Sequence, residues 1–142
     1  MTTADPLYND WIHQQLRVQP DSLAIRDLTD SRAFTWRQFN NRVDALAQGL
    51  CDEGIKMGDR IAYLGLNSSD VVEIFFATVR IGAVYVPLNF RLTPLELSFI
   101  IDDCAPSGLF YDQSFQSVVD EIDSTVIPNL MIASALDGTD SA

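Results

Sequence analysis

The spacing of hydrophobic residues along the chain predicts helices and strands in alternation. The clearest helix follows Thr35, where apolar side chains recur every three or four positions and Gln38 completes a capping box with Thr35. Gly54 marks the end of this helix, because glycine adopts a positive φ without steric cost. The apolar positions that share one face of the helix are Trp36, Phe39, Val43, Leu46, Ala47 and Leu50.

The preceding segment predicts a shorter helix and a hairpin. Asp5 and Pro6 form an N-cap and first-turn pair, and the helix that they start ends before Pro20. Two short apolar runs, at residues 23–26 and 32–35, are separated by a polar turn and predict a β-hairpin. The apolar side of the first helix consists of Leu7, Trp11, Ile12 and Leu16.

From residue 60 onward, strands and helices are predicted to alternate. The strands are 60–64, 84–88, 108–111 and 130–133, and the helices between them are 67–81, 93–104 and 115–122. Gly82 marks the end of the first of these helices, and Thr93 with Glu96 forms a capping box at the start of the second. This order predicts an α/β fold with a mostly parallel, doubly wound sheet and flanking helices. We expect residues 1–133 to form one unit and residues 134–142 to form a frayed tail.

The helix at 67–81 and the strand after it suggest how the sheet is covered. Asn67, Ser68 and Ser69 offer cap oxygens, and the helix is apolar on nearly every side, which is typical of a helix buried on more than one face. The strand at 84–88 is apolar throughout, as expected of a strand covered on both faces. Its Pro87, however, has no N–H to donate and argues against full pairing at that residue.

Composition excludes several classes of partner. The formal charge of −11 argues against nucleic acid and anionic membrane surfaces. Residues 92–142 carry 9 acidic side chains and no basic one, interspersed with apolar positions, which we interpret as solvated faces of ordinary elements. No apolar run approaches the roughly 18 residues of a membrane span, and the N-terminus does not resemble a signal peptide. A cytoplasmic protein is the expectation.

The reactive side chains form no recognisable catalytic or metal-binding pattern. Cys51 and Cys104 are isolated, so we expect two buried thiols rather than a redox pair or a zinc site. His13, the only histidine, has no nucleophile pattern beside it. We therefore predict no catalytic residue and no metal ligand in this chain.

Three stretches resemble the adenylate-forming enzymes, which include AMP-forming acyl-CoA synthetases, luciferases and adenylation domains. Residues 82–97, G-A-V-Y-V-P-L-N-F-R-L-T-P-L-E-L, closely resemble the G-A-x-x-x-P-L-N-x-R-L-T/S-x-x-E-L segment near their N-terminus. F-T-W-R-Q-F at 34–39 is similar to L-T-Y-x-E-L, and G-D-R-I-A at 58–62 with Asn67 and Ser68 is similar to G-D-R-V-A…N-S. The N-F-R form at 89–91 looks more like acyl-CoA synthetases than peptide-synthetase domains.

The resemblance implies an activity that this chain lacks the means to perform alone. The family activates a carboxylate with ATP and Mg, giving an acyl-adenylate and pyrophosphate, and then transfers the acyl group to a thiol such as that of CoA. Its Gly-rich phosphate loop ending in Pro-Lys-Gly has no counterpart here, since the only lysine is Lys56 and no two glycines are closer than four positions apart. The ribose-binding Asp and the catalytic Lys also lack a match. The expectation is an incomplete part of the family's N-terminal domain, inactive alone.

The resemblance also implies one ligand-binding residue and a set of partners. Arg91 corresponds to an arginine that lies near the phosphates of CoA in some CoA ligases, although it is also placed to screen acids such as Glu96. The expected partner is the remainder of the enzyme or a complementing polypeptide, with self-association through uncovered apolar faces. The alternative is a stand-alone α/β interaction module. Exposed apolar sides on the 67–81 helix would favour the fragment.

Overall fold

The fold is built on a four-stranded parallel sheet with a separate two-stranded hairpin. The structure is a computed structural model that describes residues 10–134. The strands are β1 Leu23–Arg26, β2 Ala33–Thr35, β3 Arg60–Leu64, β4 Val84–Leu88, β5 Gly108–Asp112 and β6 Leu130–Ser134. The helices are α1 Trp11–Val18, α2 Trp36–Asp52, α3 Ser69–Arg80, α4 Pro94–Cys104 and α5 Gln116–Asp120, the last preceded by a 3-10 turn at Gln113–Phe115.

The main sheet is covered by helices on both faces. Its strand order is β4-β3-β5-β6, and β1 pairs with β2 in an antiparallel hairpin outside it. One face packs against α1, α2, α3 and the hairpin through a core that includes Ile61, Tyr63 and Phe110. The opposite face packs against α4 and α5 through Leu64, Leu109 and Tyr111. The predicted doubly wound α/β class is thereby confirmed.

The helix ends that were predicted from local motifs form as expected. Thr35 and Gln38 make the reciprocal bonds of a capping box at the start of α2, and Thr93 and Glu96 do the same at α4. Gly54 and Gly82, which follow α2 and α3, have φ values of 87° and 77°. These signals lie within four residues of the helix ends, so the sequence alone is sufficient to identify them.

The start of α3 differs from the prediction. Ser68 occupies the N-cap position, but its side chain makes no capping bond. Instead, the backbone N–H of Ser69 donates to Oδ2 of Asp27, at 2.8 Å, from the loop between β1 and β2. The hairpin therefore supplies the cap that the three local polar residues were expected to supply.

The first helix begins later and faces differently than predicted. Asp10 is its N-cap and accepts a bond from the N–H of His13, so the described helix starts at Trp11. Ile12 is fully buried, whereas Trp11 is 65% exposed. The proposed Asp5–Pro6 start lies outside the described residues, as do 135–142 of the predicted tail. Ser134, assigned to that tail, is the last residue of β6.

The burial of β4 and α3 follows the sequence pattern in part. Strand β4 lies at the edge of the sheet and contacts both cores, through Tyr85 on one face and through Val86 and Leu88 on the other, but its Val84 is 49% exposed. Helix α3 is buried on more than one face, as its apolar pattern predicted, because α2 and the hairpin pack on it. Phe75 is its only large apolar side chain among the exposed ones, so α3 does not show the exposed apolar sides that would favour the fragment.

The expectation of two buried thiols is wrong, since Cys51 is exposed and Cys104 is partly exposed. Cys51 follows the buried Leu50 and therefore lies on the solvent side of α2.

Within the described residues, no helix has the length and apolar character that crossing a bilayer requires.

Candidate functional site at the carboxyl edge of the sheet

The loops after the parallel strands converge at one edge of the sheet. Leu64, Leu88 and Tyr111 lie side by side in the register of β3, β4 and β5, so these three strands end at the same level. Ligands of open α/β sheets bind outside the carboxyl ends of the strands. Any site that this chain contributes is therefore expected among the loops that follow these strands.

The loop after β4 is a short turn fixed by its own polar groups. The side-chain oxygen of Asn89 accepts a hydrogen bond from the N–H of Arg91, at 3.0 Å. The carbonyl oxygen of Asn89 accepts a second bond from the N–H of Leu92, at 3.1 Å. An Asn that bonds the backbone two residues ahead is a common turn device. It holds the backbone of Arg91 between the end of β4 and the start of α4.

The Arg91 side chain rests on an aromatic platform. Its guanidinium carbon lies 5.3 Å from the centroid of the Phe90 ring. Phe90 in turn meets Phe115 edge to face, with the ring centroids 5.9 Å apart, and packs on the core beneath α4 and α5. A cation stacked on a ring keeps its outward N–H groups available for a ligand. The stacking on Phe90 thus orients the Arg91 side chain and leaves its N–H groups available for an anionic ligand.

The charge of Arg91 is not neutralised by a carboxylate in the described chain. No ion pair joins it to any residue between 10 and 134, Glu96 included. The Glu96 carboxylate instead accepts bonds from the N–H and the hydroxyl of Thr93, at 2.8 and 3.1 Å. Since the capping box also occupies N–H groups of the first turn, the attraction for an anion rests on the guanidinium.

A second cluster, formed by Tyr63, Gly65 and Asp112, lies where successive helices change from one face of the sheet to the other. Because α3 and α4 lie on opposite faces, the switch point of this sheet is between β3 and β5. Gly65, just after β3, packs so closely there that a Cβ atom would lie 2.7 Å from both Cβ of Asp112 and the hydroxyl of Tyr63. Glycine is therefore required by the close approach of β5 and its Asp112.

Tyr63 and Asp112 are held by internal bonds at this point. The hydroxyl of Tyr63 donates to the carbonyl oxygen of Leu66, at 3.1 Å. Burial first, and then the nearby carboxylates of Asp112 and Asp70, together raise the pKa of Tyr63 to about 12. Oδ1 of Asp112 accepts bonds from the N–H and hydroxyl of Ser114, both at 2.9 Å, whereas its buried Oδ2 has no partner among the described residues. Tyr63 is neutral at physiological pH and suited to packing rather than to acid–base work.

The described residues fit only one of the ligands that the sequence suggested. An exposed, unpaired arginine at a strand end suits a phosphate group, so Arg91 fits a phosphate of CoA. No loop of backbone N–H groups with a lysine is present in the sequence to hold a triphosphate. Residues 10–134 contain no group of three His, Cys, Asp or Glu side chains arranged to hold a metal ion.

Sequence reasoning singled out Arg91 as a candidate but not the cluster at the switch point. Arg91 stands out because it ends an N-x-R motif in the loop after a strand. Gly65, Tyr63 and Asp112 are far apart in the chain, and only the sheet order brings them together. The one local signal was Asp112 two residues before Ser114, a spacing typical of an aspartate that caps a turn.

The sheet order and the helices on both faces define the class of protein as a doubly wound α/β fold, and the sequence contains no Gly-rich phosphate loop. The family comparison is more specific. The model of the family described as AMP-binding enzyme matches residues 12–141, and the chain belongs to this family.

The relatives include CoA ligases. The chain is 40% identical over 101 residues to a feruloyl-CoA synthase of Amycolatopsis sp., covering 71% of this chain and 20% of the relative. A fatty acyl CoA synthetase of Mycobacterium tuberculosis has a similar structure, with 30% identity and a TM-score of 0.81, covering 88% of this chain and 26% of the other. The N-terminal domain of FACL13 from the same organism matches with 30% identity and a TM-score of 0.82, covering 88% and 33%.

The lengths of the relatives show how much of the family's fold is present. The chain spans about a fifth of the curated feruloyl-CoA synthase, and about a third of the FACL13 N-terminal domain. It is an N-terminal portion of an adenylate-forming enzyme and an incomplete part of that enzyme's N-terminal domain, as the three motifs predicted.

Proposed function

We propose that this chain serves as the front portion of an ATP-dependent carboxylate-CoA ligase, is inactive alone, and becomes active when the remainder of the ligase is supplied. Within the complete enzyme, ATP and Mg would be held by other segments, and this portion would supply the four-stranded sheet and the Arg91 loop. ATP drives formation of an acyl-adenylate, and CoA then accepts the acyl group. The cytoplasm, where ATP and CoA are supplied, is the compartment expected for this activity.

The proposal rests on how much of this chain, and how little of its relative, the sequence matches cover. The family model matches nearly the whole chain, yet the chain covers only 20% of the feruloyl-CoA synthase to which it is 40% identical. The sequence lacks the family's phosphate loop, so it has no means of its own to hold a triphosphate. A chain that contains the fold's beginning without its chemistry is best explained as one part of a larger catalyst.

A chimera tests the proposal. This chain would replace the matching N-terminal segment of the Amycolatopsis feruloyl-CoA synthase, and ATP–pyrophosphate exchange with ferulate would be measured. We expect exchange by the chimera and none by the 142-residue chain alone. The control is the feruloyl-CoA synthase lacking the same segment, which should also be silent. A folded chimera without exchange would contradict the proposal.

Arg91 is proposed to contact a phosphate of the CoA nucleotide. The support is geometric: the guanidinium is exposed, stacked on Phe90 and free of an ion pair with any residue between 10 and 134. An arginine with free N–H groups binds phosphate oxygens in a fork geometry. The turn made by Asn89 places it at the edge of the sheet where ligands of such folds bind.

Removing this cation should weaken CoA binding without affecting adenylate formation. In the chimera, we predict that Arg91→Ala raises KM for CoA about fivefold, which corresponds to roughly 1 kcal/mol for an exposed ion pair. ATP–pyrophosphate exchange, which needs no CoA, should be unchanged. Arg26→Ala is the matched control, because Arg26 is also an exposed arginine but lies on the hairpin. Equal KM values for CoA in the chimera and in its Arg91→Ala and Arg26→Ala variants would refute the assignment.

A stand-alone interaction module is the second candidate. It is favoured by one observation: the apolar sides of α3, which a cut fragment was expected to expose, are covered by α2 and the hairpin. The module would bind a protein partner through its remaining surfaces. A monomeric, stable chain whose chimera is folded but inactive would favour this candidate over the ligase portion.

A further inference from the structure

Two arginines of the described chain stack on aromatic rings, and their charges are used differently. The guanidinium carbon of Arg42 lies 4.7 Å from the centroid of the Phe34 ring, and Nε of Arg42 donates to the Glu73 carboxylate at 2.8 Å. The guanidinium carbon of Arg91 lies 5.3 Å from the centroid of the Phe90 ring, but Arg91 joins no ion pair within the described residues. The first stack therefore belongs to an internal ion pair, whereas the second leaves its cation available to an anion.

Phe90 is itself held by a second ring. Phe115 meets it edge to face, with the ring centroids 5.9 Å apart and the ring planes at 68°. Aromatic pairs prefer this arrangement because the positive edge of one ring is attracted to the negative face of the other. Both rings are half-buried and pack against the core beneath α4 and α5. The ring on which Arg91 rests is therefore fixed from below and from one side.

The position of Phe115 is set by a turn at the end of β5. Asp112 caps the 3-10 turn Gln113–Phe115, and its Oδ1 accepts bonds from the N–H and the hydroxyl of Ser114, both at 2.9 Å. Asp112 is only 1% exposed, so the turn is anchored in the sheet. The loop after β5 thereby brings Phe115 against Phe90 in the loop after β4, although β3 separates the two strands in the sheet.

We propose that Phe90 and Phe115 are positioning residues for CoA recognition, which hold the Arg91 guanidinium in the orientation in which it meets a phosphate of CoA. This inference rests on the proposed function. A freely rotating arginine loses side-chain freedom when a ligand orders it, whereas a stacked arginine has lost part of that freedom before binding. Because the rings act through Arg91, they should affect the step that uses CoA and not the formation of the acyl-adenylate.

Substitution of Phe90 in the chimera with the feruloyl-CoA synthase tests this role. Phe90→Leu keeps an apolar side chain but removes the ring face, and we expect it to raise KM for CoA about threefold. ATP–pyrophosphate exchange should be unchanged, which also shows that the variant is folded. Phe90→Tyr keeps the ring and should restore the KM of the parent chimera. Phe34→Leu is the matched control, because it removes the ring beneath Arg42 and should leave KM for CoA unchanged.

A double-mutant cycle distinguishes positioning from packing alone. If the Phe90 ring acts through the guanidinium, Phe90→Leu should have no further effect on KM for CoA once Arg91 has been replaced by alanine. Phe115→Leu should raise KM in the same direction but less, by about twofold, because Phe115 acts through Phe90. Phe115→Tyr, which keeps the edge-to-face contact, should restore it.

Nuclear magnetic resonance gives a readout that does not depend on activity. In the 142-residue chain, the Arg91 side-chain protons that lie over the Phe90 ring should resonate upfield of those of a free arginine, because the ring current shields them. We expect Phe90→Leu to abolish this upfield shift and Phe90→Tyr to retain it.

Each outcome bears on the proposal. A chimera in which Arg91→Ala raises KM for CoA but Phe90→Leu does not, or in which Phe90→Leu has its full effect without Arg91, overturns the positioning role and leaves the proposed function intact. Absence of the upfield shift from the isolated chain overturns the positioning role whatever the chimera does. A folded chimera without exchange overturns the proposed function and this inference together.

Discussion

Asp27 shows how one carboxylate determines where a distant helix begins. It is buried in the loop of the β1–β2 hairpin, and its two oxygens accept bonds from the N–H groups of Ser69 and Thr29. These backbone bonds, that from Ser69 first, lower the pKa of Asp27. A carboxylate whose charged form is stabilised by N–H donors contributes to stability only while it is ionised.

The stabilising effect of Asp27 should therefore depend on pH. Its pKa in the folded chain lies below the unfolded value of 3.8, so its contribution is present above about pH 4 and is lost as the pH falls through the folded pKa. We predict that Asp27→Asn lowers the free energy of unfolding at pH 7 by about 1 kcal/mol, and by less at pH 3. Urea denaturation at both pH values measures this. Asp21→Asn, at an exposed position, is the control, and an equal loss for Asp27→Asn at both pH values would refute the linkage.

Alanine substitutions at Gly65 and Gly49 should change the free energy of unfolding in opposite directions. An added Cβ at Gly65 meets Cβ of Asp112 at 2.7 Å, an atom next to the backbone that has little freedom to move, whereas at Gly49 nothing lies within 4 Å. We predict that Gly65→Ala lowers the free energy of unfolding by about 1–3 kcal/mol through overpacking. Gly49→Ala, within helix α2, should raise it by roughly 0.5–1 kcal/mol. Two substitutions with effects of the same sign, measured by urea denaturation, would contradict the packing at the switch point.

At the scale of elements, Arg32 ties the hairpin to α3. Its guanidinium donates to Asp30 within the hairpin and to Asp70 in the first turn of α3, the latter at 3.0 Å, with Asp27 3.8 Å away. Desolvation lowers the pKa of Arg32, but the neighbouring carboxylates outweigh it and the net shift is upward. One guanidinium thus lies within ion-pair distance of three carboxylates where the hairpin meets α3.

A double-mutant cycle measures this connection. We predict that Arg32→Met lowers the free energy of unfolding by about 2 kcal/mol, because it leaves partly buried carboxylates without their cation. Asp70→Asn alone should cost less, and the coupling energy of the pair should be about 1 kcal/mol. The control cycle is Arg37→Met with Asp21→Asn, an exposed pair whose coupling should be near zero. Strictly additive effects for Arg32 and Asp70 would show that the bond does not join the elements.

The elements also show which features could be predicted from sequence. The capping boxes at Thr35 and Thr93 were predicted because each is complete within four residues. The cap of α3 was not, because it comes from Asp27, 42 residues before Ser69. The apolar pattern of α3 indicated burial on more than one face and Pro87 indicated incomplete pairing of β4, but the strand order and the elements that cover α3 could not be predicted, because they are tertiary properties that hydrophobic periodicity does not contain.

For the whole molecule, the limits of sequence reasoning follow the same division. Arg91 is a candidate because it lies in a contiguous motif, while its stacking on Phe90 and the bonding of Glu96 to Thr93 became visible only in three dimensions. The parallel sheet was predicted from the alternation of strands and helices. Which strands lie at the edges of that sheet could not be predicted, because this depends on the order β4-β3-β5-β6.

Residues 10–134 thus pack helices on both faces of the main sheet, and the chain matches about a fifth of the feruloyl-CoA synthase. The account makes catalysis a property of the assembled enzyme rather than of this chain.

The most direct test of that claim is ATP–pyrophosphate exchange with ferulate, measured for this chain alone and for the chimera in which it replaces the matching segment of the feruloyl-CoA synthase. The account predicts no exchange above background for the chain and exchange within about tenfold of the parent enzyme for the chimera. Exchange by the isolated chain, or a folded chimera that stays silent, would contradict it.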